Sequence, residues 1–194
     1  MLFTLDTNCV IDLEQNTPFA PPIRALVAAH RAGRAEVAIP TISASELQRD
    51  GGYLTHFNQF LARLASVGLD GLPLIEPIAY FGVGFYGYGL LADEAMVALE
   101  RQIHEVLHPE VEFDYKDFCE ARRIEMDPEN PDRRWRNAKC DTQAMWSHIH
   151  HGRECFVTRD RNFLKASKEP RLITLGARRI CEPVDAIALV KPAA

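Results

Sequence analysis

The 194-residue chain carries a net charge of −5, with 47% hydrophobic and 25% charged residues. This is ordinary globular usage, and it excludes collagen-like, low-complexity and disordered sequence. No run of eighteen apolar residues is present, so the sequence predicts one folded domain, or one with an insertion, and no membrane-spanning helix.

In chain order, the apolar run Leu2 to Leu5 ends at Asp6 and predicts a buried strand with a carboxylate at its carboxyl end. Pro21-Pro22 opens a helical pattern through Ile23, Leu26, Val27 and His30 that Gly33 closes. Val37-Ala38-Ile39 reads as a second strand, stopped by Pro40, and Ser43 to Leu47 as the start of another helix. Phe57, Phe60, Leu61 and Leu64 suggest a further helix, Leu90 to Leu107 a strongly amphipathic one, and Tyr115 to Ile124 another. Trp135 to His151 predicts a helix closed by Gly152, with His148, His150 and His151 at a solvated end. Cys155 to Thr158 follows as a strand, then a short helix around Phe163-Leu164, and Val184 to Val190 is helical again. Strand and helix alternate, which predicts an α/β fold: a mostly parallel sheet flanked by helices, with ligands beyond the carboxyl ends of the strands.

Charge is segregated along the chain. Residues 100–132 carry 4 basic and 11 acidic side chains, and residues 133–179 carry 12 basic and 4 acidic ones. The basic stretch reads either as the footprint of a phosphate-rich ligand, held by Arg133, Arg134, Arg136, Lys139, Arg159 and Arg161, or as one half of a neutralising contact with the acidic stretch. Five widely spaced cysteines without a CxxC pair predict reduced thiols, and the amino terminus lacks the features of a secretory signal, so the cytoplasm is the expected location.

Two predicted strands end at an aspartate, Asp6 and Asp160, and Asp141 lies on the apolar face of a helix. Carboxylates brought together repel unless a divalent cation takes them as oxygen ligands, which points to magnesium or manganese, with Glu46 as a fourth member. Each residue also has a plain structural reading. Asp6 can cap a helix, Ser43-Ala44-Ser45-Glu46 spells a capping box, and Asp160 can shape a turn.

Leu5-Asp6-Thr7-Asn8-Cys9-Val10-Ile11-Asp12, Pro40 through Ser45-Glu46-Leu47, Cys140-Asp141-Thr142-Gln143-Ala144 and Val157-Thr158-Arg159-Asp160-Arg161-Asn162-Phe163 together resemble the PIN-domain nucleases, the family that includes VapC-type toxins. The resemblance covers residues 1–50 and about 136–190. It implies a three-layer α/β/α fold and a magnesium- or manganese-dependent nuclease, most of all an endoribonuclease. Asp6, Glu46, Asp141 and Asp160 would form its acidic cluster, with Asp6, Asp141 and Asp160 on the metal. Asn8, Thr158, Arg136, Lys139, Arg159 and Arg161 would meet the substrate. RNA or another single-stranded nucleic acid is the implied partner, a small antitoxin a further one, and a homodimer is compatible. Glu46 and Asp141 stand 95 positions apart, so residues 51–135 are expected as a helical insertion or enlarged arm. A PIN-fold scaffold that binds RNA without cutting it is the alternative.

Two spellings compete. His104-Glu105-Val106-Leu107-His108 matches a zinc-protease pattern, although Pro109 pushes His108 out of helical geometry. Gly82-Val83-Gly84-Phe85-Tyr86-Gly87 matches a dinucleotide pattern, but Pro77 and the bulky Phe85 and Tyr86 oppose it. The run Tyr80 to Gly89 reads instead as an aromatic loop that packs into the core, stacks bases or docks a partner.

Overall fold

The short apolar runs become five strands: β1 (Leu2–Leu5), β2 (Glu36–Pro40), β3 (Leu74–Ile75), β4 (Cys155–Val157) and β5 (Ile180–Cys181). In the computed structural model, which describes residues 1–48 and 51–191, they form one parallel sheet in the order β3-β2-β1-β4-β5. The chain winds outward from β1 through β2 to β3, then returns to place β4 on the other side of β1. The strand order therefore reverses between β1 and β4, where open α/β sheets present a crevice at their carboxyl ends.

Side chains alternate across the sheet with period two. Phe3, Leu5, Val37 and Val157 enter one core cluster, which α1 (Thr7–Gln15), α2 (Ala20–Arg31), α3 (Phe57–Ser66) and α8 (Pro183–Ala188) complete with Val10, Ile23, Phe60 and Ala186. Phe156 and Ile180 enter a second cluster, which α4 (Glu94–Leu107), α5 (Tyr115–Arg122) and α6 (Arg133–His150) fill with Ile103, Phe118 and Trp146. A short α7 (Glu169–Leu172) precedes β5. The parallel sheet flanked by helices that the alternation predicts is present, compatible with a three-layer α/β/α fold. No helix among the described residues is long and apolar enough to cross a membrane.

Local chemistry explains the helix ends. Pro21 and Pro22 sit in the first turn of α2, where no backbone donor is lost. The carboxylate of Asp93 accepts the Met96 N–H at 2.8 Å, and that of Asp132 accepts the Arg134 N–H at 2.8 Å. The Asp93 cap starts α4 at Glu94 rather than at Leu90, which instead bridges to Ile78.

Three expectations fail. The helix predicted from Ser43 is a single tight turn, Thr41–Ser45, after which Glu46 is extended (φ −78°, ψ 156°), so the capping box does not form. Around Phe163 the chain makes turns, because the Asp160 carboxylate accepts the Asn162 N–H at 2.7 Å. His148 lies in the core instead of at a solvated end. Residues 51–135, expected as an insertion or arm, also supply parts of the central fold: Phe57, Phe60 and Leu64 of α3 lie in the first core, and β3 pairs with β2. The Gly82 to Gly87 run opens no helix, since α4 begins only at Glu94. Phe85 packs edge-on against Phe57, and Tyr88 stacks on it at 3.5 Å, while Phe81 and Tyr86 are exposed.

Candidate functional site

Each of the four acids follows a strand or lines the crevice beside it. Asp6 follows β1, and its backbone N–H donates to the Val157 carbonyl of β4 at 3.0 Å, so it sits where the strand order reverses. Its carboxylate caps α1 by accepting the Thr7 N–H at 2.8 Å and also accepts the Thr158 hydroxyl at 2.6 Å and the Asn8 amide. Cap and site residue are thus one. Thr158 is fully buried, and its hydroxyl is saturated: it donates to Asp6 and accepts the Asn8 amide at 2.8 Å and the Asp160 N–H at 2.9 Å. One hydroxyl therefore ties together the ends of β1 and β4.

Glu46 follows β2 through the tight turn. The Thr7 hydroxyl donates to its carboxylate and shares a 2.8 Å hydrogen bond with the Ser43 hydroxyl. Asp141, in the middle of α6, accepts from His108 Nε2 at 3.1 Å. His108 ends α4, and the neighbouring Leu107 carbonyl accepts from Lys168 Nζ and, at 3.4 Å, from Asn162 Nδ2. Lys168 Nζ also donates to Asn162 Oδ1 at 2.6 Å.

Burial and neighbouring carboxylates perturb three of the acids. Burial pushes the Asp6 carboxyl up to about 7, and the charges of Asp141 and Asp160 add to the rise against the hydrogen bonds from Thr158 and Thr7. Burial also lifts Glu46 well above the usual carboxylate range, helped by Asp6 and Asp141. Asp141 rises through burial and the charge of Asp160, opposed by His108 and Lys168. Burial is the largest cause in all three, and the neighbouring carboxylate charges add to it. Carboxylate oxygens suit a hard divalent ion, and magnesium takes few protein ligands while keeping several waters. Among the described residues, no three histidine, cysteine or acidic side chains stand close enough to enclose a metal ion. Asp6, Asp141 and Asp160, expected on the metal, therefore do not form a ready-made ligand set here, although the charge of Asp160 acts on both Asp6 and Asp141.

The basic residues expected at the substrate divide sharply. Lys139 is 1% exposed and its Nζ meets Glu100 Oε1 at 2.8 Å, among the rings of Phe113, Tyr80 and Trp135. Glu100, itself fully buried, also accepts from Gln143 at 2.7 Å and from the Tyr80 hydroxyl. For Lys139 the neutralising contact between the acidic and basic stretches is the correct reading, and its ammonium is closed to a substrate. Arg136 is also buried: it donates to the Ser45 carbonyl at 2.9 Å and to the Gly82 carbonyl at 3.3 Å, and lies over Tyr53. It braces the turn before Glu46 instead of reaching outward. Arg159, partly exposed, pairs with the buried Asp12 at 2.7 Å. Arg161 is exposed and has no ion pair among the described residues. Asn8 and Thr158 are spent on orienting Asp6.

Sequence reasoning passed over Thr7, Asn162 and Lys168, and noticed His108 only through the zinc-protease spelling. That spelling fails in three dimensions. His104 Nε2 bonds the Val111 carbonyl at 2.7 Å, Glu105 is exposed, and His108 (φ −138°, ψ 54°) has left the helix to face Asp141. The signal that could have found Thr7 was its place between two expected site residues in Asp6-Thr7-Asn8. Comparison with known protein families and with curated proteins gives no match to this chain.

Proposed function

We propose that this chain is a metal-dependent nuclease that hydrolyses phosphodiester bonds in single-stranded nucleic acid, RNA foremost. The observation that carries the reading is that Asp6, Glu46, Asp141 and Asp160 lie within electrostatic reach of one another at the carboxyl end of the parallel sheet, where burial first, and neighbouring carboxylate charge second, raises Asp6, Glu46 and Asp141. A bound magnesium or manganese ion would supply positive charge against these carboxylates and against the charge that builds on a phosphodiester as it is attacked. The chain's own residues supply position. Thr158 and Asn8 fix the Asp6 carboxylate, Thr7 fixes Glu46, His108 fixes Asp141, and the Asn162 N–H fixes Asp160. Such supporting hydrogen bonds set the orientation and basicity of metal-binding carboxylates. A cytoplasmic location accords with five free cysteines, while a toxin role with a small antitoxin, or as a homodimer, rests on the family resemblance alone.

The test is cleavage of a mixed, end-labelled RNA pool in manganese, magnesium or chelator by the native chain, Asp6→Asn and Asp141→Asn. Cleavage that requires metal and vanishes in both variants is expected. Folded native protein that binds the pool but never cuts it would overturn the enzymatic reading in favour of the scaffold.

A further inference from the structure

With Arg136 and Lys139 turned inward, the site needs another means of holding a polyanion beside four carboxylates. A groove of about 470 Å³ lies between the end of α4 and the first turns of α6, lined by His108, Glu110, Asp132, Arg133, Arg134 and Asn137, among others. His108 lines it, and Nε2 of the same ring bonds Asp141 at 3.1 Å. One side chain therefore links the groove to the acidic cluster. Arg133 and Arg134 are exposed and make no ion pair among the described residues. The groove's two carboxylates do not neutralise them directly: Asp132 is spent on the Arg134 backbone N–H, and Glu110 acts on Lys168. Elsewhere in the basic stretch, Arg153 pairs with Glu36, Arg159 with Asp12 and Arg178 with Glu154. Arg133 and Arg134, the latter within the field of partly exposed Glu112, make no ion pair among the described residues and line a concave surface next to the site, with the Asn137 amide one turn further along α6 toward Asp141.

Resting on the nuclease reading, we propose that this groove is a phosphate-binding subsite, in which Arg133, Arg134 and Asn137 grip the backbone of a single-stranded nucleic acid next to the phosphodiester at the acidic cluster. Guanidinium forks suit phosphate oxygens. The subsite holds the strand against the repulsion of the carboxylates, and it selects for a flexible single strand that can enter a concave cleft.

The experiment is fluorescence anisotropy of a labelled 12-nucleotide single-stranded RNA, and its DNA counterpart, across a series of salt concentrations with calcium in place of magnesium. The proteins are the native chain, Arg133→Ala/Arg134→Ala, and the charge-matched control Arg171→Ala/Arg179→Ala, which removes two exposed cations outside the groove. Each lost phosphate contact lowers the slope of log K against log salt by about 0.7 for a single strand. The groove variant should bind at least tenfold more weakly at low salt, with a slope smaller by about 1.4, and the control should bind like the native chain. Equal losses in both double variants, or native binding by the groove variant while the native chain still cleaves RNA, would overturn the subsite and leave the nuclease reading standing. A native chain that neither binds nor cleaves either strand would overturn both.

Discussion

The Thr158 hydroxyl has one proton and two lone pairs, and all three are spent on Asp6, Asn8 and Asp160. Replacing it with valine, nearly the same shape, removes a donor that only a correctly turned Asp6 receives and leaves two donors without an acceptor. Thr158→Val should lower metal-dependent cleavage about 10- to 100-fold and weaken manganese binding in calorimetry, the range found when a hydrogen-bond partner of a metal ligand is removed. Thr158→Ser should restore most of both. Normal cleavage by the valine variant would show that the Asp6 orientation does not depend on this bond. Lys139 makes the opposite case, since its charge looked like a substrate contact in sequence and is enclosed with Glu100 in the core. Removing one partner of a buried ion pair strands the other, at about 3–5 kcal/mol. Lys139→Ala should therefore shift urea unfolding by roughly that amount while RNA affinity per folded molecule stays native. A stable variant with weakened RNA binding would return Lys139 to the substrate.

Elements with strong periodicity were legible, and those set by contacts distant in sequence were not. β1, β2, β4 and the amphipathic stripes of α2, α4 and α6 follow from spacing alone, because each buries a continuous apolar face. β3 is two residues long and exists through pairing with β2, a contact no local pattern encodes. The turn at Thr41–Ser45 spelled a helix start, but its hydroxyls are drawn elsewhere, Thr41 to the Tyr88 carbonyl at 2.8 Å and Ser43 to Thr7. The same competition carries over to the site. Asp6, Asp141 and Asp160 could be named from strand ends and a helix face, whereas His108, Asn162 and Lys168 enter through the packing of α4 beside the crevice. The loop that follows β3 offers a test at this scale. Gly82 has φ +72°, and a Cβ there would lie 1.8 Å from the Pro128 carbonyl oxygen, while its own carbonyl accepts from Arg136. Gly82→Ala should cost about 1–3 kcal/mol and release the Arg136 brace behind Glu46, read as an earlier urea midpoint together with reduced cleavage. An unchanged midpoint would mean that the loop shifts without disturbing Arg136.

Across the whole molecule, two buried systems respond to pH in opposite directions, and their balance sets acid stability. The carboxylate cluster has native pKa values raised above those of the unfolded chain, so keeping its charges buried beside one another costs stability above about 7, a cost that is relieved as pH falls. Added manganese should likewise raise the melting temperature of the native chain at pH 7.5 and leave Asp6→Asn/Asp141→Asn nearly unmoved, since a ligand stabilises only the state that binds it. His148 works the other way. Its ring lies fully buried between β1 and the residues before β5, with Nδ1 accepting the Thr4 hydroxyl at 2.9 Å and Nε2–H donating to the Ala177 carbonyl at 3.0 Å. The Thr4 bond, with Nδ1 as acceptor, needs the neutral ring, and burial, opposed by the Ala177 bond and aided by the charges of Arg153 and Arg178, pushes its pKa down to about 4. The unfolded chain binds this proton near 6.5, so the stability that His148 contributes is complete above 6.5 and is lost as pH falls toward 4, by about 3 kcal/mol in all. The difference in unfolding free energy between the native chain and His148→Gln isolates this contribution, because the carboxylates are common to both proteins. That difference should shrink steadily from pH 7 to pH 4 in urea titrations, and one that stays constant over the range would show that His148 does not hold its neutral form in the folded core.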